Sequence, residues 1–189
     1  GSAPGRAVAI SKNLPLAALA GDDGVLHVSG FNDAKELATA KAVWQAYRSP
    51  TPEACVQLLR RDLSALPLLK PVLLDLMAEL PSASSGLGAT EMRMLEMIGR
   101  GYSLTNALFY VPVVRQTRVF NEIELGYLLE GLAFGPKPAV LGLDEELRTL
   151  PRHNYRDRGR AFQRSRLSLT DLGRAVVAHQ EDFSHHNPI

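Results

Sequence analysis

The first apolar positions along the chain come in short runs. Ala7-Val8-Ala9-Ile10 and Val25-Leu26-His27-Val28 read as strands, with Gly21-Asp22-Asp23-Gly24 as a turn just before the second. Two short strands do not stand alone, so residues 1–31 are expected to form an N-terminal arm that pairs with itself or leans on the helices after it. From residue 32 the apolar positions recur at three- and four-residue steps instead. Leu37, Ala40, Trp44 and Tyr47 follow the Asn32-Asp33 cap. Thr51-Pro52-Glu53 then starts a second helix with a hydroxyl, a preset φ and an acid at the positive end of the dipole. That helix is predicted to turn Cys55, Leu58, Leu59 and Leu63 inward. The next carries a stripe of Leu69, Val72, Leu73, Leu76, Met77 and Leu80. Residues 32–80 are thus predicted to be a helical subdomain, with Trp44 and Cys55 as packing residues rather than a cofactor box or a reactive thiol.

Pro81-Ser82-Ala83-Ser84-Ser85-Gly86 reads as a linker. Beyond it the pattern predicts helices over 89–98, 104–110 and, capped by Asn121, to about Leu132. A strand over 139–143, a long polar loop, a strand over 166–169 and a helix over 170–179 follow. Helix, helix, helix, strand, loop, strand, helix is the order of a winged-helix domain, over 86–183. The expected fold class is mainly α with a small β component, a helical subdomain plus a winged-helix-like domain.

Charge is distributed unevenly, and the loop holds most of the excess. Over 148–166, arginines 148, 152, 156, 158, 160, 164 and 166 stand against one acid, Asp157, a charge of +6 on a chain whose net charge is +1. Tyr155 and Phe162 are interleaved with them. Guanidinium forks suit phosphates and carboxylates, and aromatic rings stack on bases. Arg152, Arg156, Arg158, Arg160, Arg164, Arg166, Tyr155 and Phe162 are therefore the candidate contacts of a basic wing with a nucleic-acid backbone or an acidic protein surface. The alternative is a solvated loop whose arginines pair with acids elsewhere in the fold. The third helix speaks against reading of duplex bases: its polar face is Glu122, Gly126 and Glu130, with Glu124 nearby and no Lys or Arg, although Arg115 and Arg118 precede it.

Composition closes off several classes. With 189 residues, 46% of them hydrophobic and 22% charged, the chain can bury a real core, and collagen-like, coiled-coil and wholly disordered readings fall away. No apolar run reaches the ~20 residues of a spanning helix; the best, 63–80, is broken by Pro67, Lys70, Pro71, Asp75 and Glu79. A single cysteine, Cys55, forms no internal disulfide, which makes a reducing, cytoplasmic location the default. Gly1-Ser2 reads as an expression scar, so the native start is expected to lie elsewhere. There is no phosphate-binding glycine loop, no Gly-x-Ser-x-Gly elbow and no zinc-type spacing. His179, His185 and His186 gather near Glu181 and Asp182, but adjacent histidines at a terminus are more often solvated than ligating. His27 reads as a core or edge histidine and Asp22 and Asp23 as turn residues. No catalytic residue, metal site or cofactor is expected, and an enzyme ranks behind a binding module and a structural domain.

Several stretches together resemble a bacterial family of uncharacterised proteins. They are Ala42-Val43-Trp44-Gln45-Ala46-Tyr47-Arg48-Ser49-Pro50-Thr51-Pro52, then Glu79-Leu80-Pro81-Ser82 with Gly86-Leu87 and Thr90-Glu91. Further on come Leu132-Ala133-Phe134-Gly135-Pro136 and Leu167-Ser168-Leu169-Thr170-Asp171-Leu172-Gly173-Arg174. The resemblance covers residues 35–189 and implies an N-terminal α/β domain, a helical segment and a winged-helix-like C-terminal domain, of which this chain is similar to the C-terminal part. Relatives often carry a capping Ser where Gly88 stands, for which Gly is a tolerable substitute. They also tend to continue beyond the Asn-Pro-Ile position. The resemblance implies architecture and no reaction. The expected role is a non-catalytic binding or regulatory module acting through its arginine-rich segment, or else a structural, protein-interaction domain of a larger protein that associates with itself.

Overall fold

A computed structural model describes residues 7–9, 17–20, 26–29, 34–110 and 119–188, the first three stretches as backbone only. The chain divides into two compact units, Gly1–Met77 and Ala78–Ile189.

In the first unit, β1 (Ala7–Ala9), β2 (Ala17–Ala20) and β3 (Leu26–Ser29) form an antiparallel meander in the order β1-β2-β3. Val8 pairs with Ala18, and Leu19 pairs with His27. The two expected strands are present, and β2 joins them as the middle strand. Its Ala-Ala-Leu-Ala sequence has low strand propensity and is held by ladder bonds on both sides. The 21–24 turn, the 32–33 cap and the His27 side chain lie outside the described residues.

Helices α1 (Ala34–Tyr47), α2 (Glu53–Leu59) and α3 (Leu69–Ala78) follow. Their core is Ala46, Cys55, Leu58, Leu63 and Leu73, with Ala42, Val43, Leu69 and Met77 packed against it. Cys55 is buried as expected. Trp44 is not a core residue. The buried stripe of α1 runs along Ala42, Val43 and Ala46, and the neighbouring face carries Trp44 stacked on an exposed Tyr47, with the Arg48 guanidinium over the indole. Small residues let helices approach closely, and the large rings are left at the margin. Val72 and Leu80, both assigned to the α3 stripe, are exposed, and Leu80 lies beyond the end of α3.

The second unit is mainly helical with a two-stranded antiparallel sheet. Helices α4 (Ala89–Gly99), α5 (Thr105–Tyr110) and α6 (Glu122–Phe134) are followed by β4 (Val140–Leu141) and a 3-10 turn (Glu145–Arg148). Helix α7 (Tyr155–Arg164), β5 (Ser168–Leu169), α8 (Asp171–Val177) and α9 (Phe183–His186) complete it. Val140 pairs with Leu169 and Leu141 with Ser168. Met94, Leu95, Leu108, Leu129, Leu132, Val140 and Val176 are fully buried at the centre. Pro112, Arg115 and Arg118 lie outside the described residues. Among the described residues no helix is long and apolar enough to cross a membrane.

Two features of this unit differ from the sequence expectation. The expected linker is a closed loop: Ser82 N–H donates to the Leu87 carbonyl, Gly86 N–H to that of Ser82, and Phe183 N–H to that of Ser85. Ser85 and Leu87 are buried. Small polar residues resemble a linker by composition, yet here their hydroxyls serve the loop's own backbone. The second feature is the start of α4. A Cβ at Gly88 would stand 2.6 Å from the Glu79 carbonyl oxygen, so a serine cap has no room. Glu79 does the capping from outside the helix, accepting the Thr90 N–H at 2.9 Å and the Thr90 hydroxyl at 2.7 Å. Asn187 ties down the turn after α6, accepting the Lys137 N–H and donating to the Lys137 carbonyl, each at 2.9 Å.

Candidate functional site: a basic helix closed onto an acidic one

The arginine-rich segment is not a loop. Asn154 accepts the Asp157 N–H and starts α7, and the buried positions are Arg158, Ala161 and Ser165, with Phe162 packed on the core. Positions 158, 161, 162 and 165 have helical spacing. The period is hidden in the sequence because an arginine and a serine occupy two of the inward positions. Arginine is also a good helix former, so nothing local opposes the helix except Gly159.

This helix lies along the polar face of α6. At Gly126 a Cβ would stand 2.9 Å from the tip of the Phe162 ring, so a side chain there would crowd the ring between the two helices. One turn on, the Arg158 guanidinium, 5% exposed, is bonded to the Glu130 carboxylate and donates to the Leu150 carbonyl at 3.0 Å. It also lies 5.5 Å from the centre of the Tyr127 ring. Burial pushes the Glu130 carboxyl up from its ordinary value, while Arg158 and Arg152 pull it the other way. Gly126 and Glu130, two positions on the polar face of the third helix, thus meet their own chain's basic segment, while Glu122 stays exposed.

The candidate contacts separate accordingly. Arg158 is almost wholly buried, its guanidinium already held by Glu130 and the Leu150 carbonyl. Phe162 sits edge-on to Phe109, ring centres 5.8 Å apart, as a packing residue and not a free stacking platform. Arg164 bonds Asp144 at 2.8 Å and Glu146 at 2.7 Å, and the Glu146 N–H and Arg164 together lower the Asp144 pKa. Arg166 donates to the backbone carbonyls of Gln163 and Ser165. Arg148 lies over Phe134 at 4.1 Å and Arg152 over Tyr127 at 4.7 Å. Arg160 reaches Asp157 at 3.4 Å in an exposed pair, which holds it weakly. Arg156 is exposed and makes no ion pair among the described residues. Of the eight, the outward-facing set is Arg152, Arg156, Arg160 and Tyr155.

Between α5, α6 and α7 lies a groove of about 280 Å³, lined by Phe109, Tyr127 and Phe162 together with Ile123, Tyr155 and Gly159. Sequence reasoning missed Ile123 and Gly159, whose place is set only when α7 docks. A second concavity of about 420 Å³, between α4, β5 and α8, carries Arg100 and Arg174. Each is answered by its own acid, Glu96 and Asp171. Among the described residues no three His, Cys, Asp or Glu side chains converge as metal ligands. His186 instead meets Glu181 at 3.1 Å.

No protein-family model, curated protein or solved structure matches the chain.

Proposed function

We propose that this chain is a non-catalytic binding or regulatory module that presents the outer face of α7 to an acidic protein surface. The observation that carries the reading is the exposed set of Arg156 and Arg160 on α7 and Arg152 just before it, while Arg158 and Arg164 are held by acids of the same chain. An acidic protein face is favoured over nucleic acid because the third helix, which would enter a groove in a winged-helix reader, meets α7 at Gly126 and Glu130 and leaves the acids Glu122 and Glu124 exposed, which phosphates would repel. In this reading the second unit is winged-helix-like, with β4 and β5 as the strands of a wing whose tip has become a helix. The resemblance to the C-terminal part of an uncharacterised bacterial family and a cytoplasmic location belong to the same proposal.

The test is fluorescence anisotropy of a labelled poly-glutamate peptide and of labelled single- and double-stranded oligonucleotides, at about 50 and 200 mM salt, where phosphate contacts weaken steeply. Poly-glutamate is expected to bind at the lower salt, and Arg156→Ser with Arg160→Ser to lose that binding at unchanged melting temperature. Equal affinity in the variant overturns the basic face. Oligonucleotide binding lost in the same variant moves the partner to nucleic acid. A structural role is the second reading, favoured by the exposed Leu68, Val72 and Leu74 of the first unit. Light scattering that shows a concentration-dependent dimer with no anion binding supports it.

A further inference from the structure

We draw no further inference here: the strongest candidate, the aromatic-walled groove between α5, α6 and α7, has only Glu122 and the already paired Arg158 as its charged lining, and nothing in the structure shows what covers it.

Discussion

His179 holds a left-handed φ of 55° at the end of α8, where its N–H donates to the Val176 carbonyl and the Gln180 N–H to that of Ala175. That pair of bonds is the Schellman arrangement, whose left-handed residue is usually glycine. The histidine side chain is exposed and makes no compensating contact among the described residues. Replacing His179 with Gly is therefore expected to stabilise the protein by about 0.5–1 kcal/mol, the relief of strain less the added freedom of the unfolded chain. Urea denaturation measures it, and a lower midpoint would contradict the argument. Glu91 gives a pH-dependent case. Burial raises its pKa above the ordinary 4.5, opposed by the Gly88 N–H and reinforced by nearby Glu79. A raised folded pKa means the native state holds its proton more tightly, so this stability is complete below about pH 4.5 and is lost as pH climbs through the folded value. Glu91→Gln can still accept the Gly88 N–H. It is expected to melt higher than wild type at pH 7 and equally at pH 4, and an equal gain at both would refute the titration.

Among the helices, α7 is the one on which the second unit turns. Its inward positions include Arg158, whose charge is satisfied by Glu130 and by carbonyls of the chain just before it. Arg158→Ala leaves Glu130 facing α7 without its cation, and the loss is expected to be on the order of 3 kcal/mol by chemical denaturation. Replacing both partners with Met should restore most of it, since two apolar side chains need no solvation. If the double variant is no more stable than the single one, the pair does not hold the helices together. The helix was legible only in part. Ala161 and Phe162 mark an apolar edge, but recognising Arg158 as an inward residue requires knowing that Glu130 waits opposite it. The alternative sequence reading, arginines pairing with acids elsewhere, describes Arg158 and Arg164 well and Arg156 not at all.

Over the full chain, the two units carry unequal cores. Among the described residues the first has five buried apolar side chains and the second twenty. Hydrophobic burial is the main favourable term in folding, and a unit with less of it opens first. Calorimetry is expected to resolve a lower transition for the unit Gly1–Met77 and an upper one for Ala78–Ile189. Leu73→Ala, a cavity in the smaller core, should lower the first and leave the second in place. A single transition that moves as one with Leu73→Ala would show that the units unfold together.

Helix positions for α2, α4, α6 and α8 follow from local physics: apolar residues at helical spacing, Asn121 and Thr170 as side-chain caps, and breaks at glycine and proline. Those signals sit within a few residues of one another, so a short stretch of sequence is enough to place each helix. The destination of polar residues is settled only when the chain has folded. Whether Ser85 is in a linker or a buried loop, whether Arg158 is a ligand contact or a core residue, and whether Gly88 is capped by itself or by Glu79 depends on groups distant along the chain. A polar side chain is buried only when a partner satisfies it. The partner's identity is a property of the fold, and no window of sequence contains it.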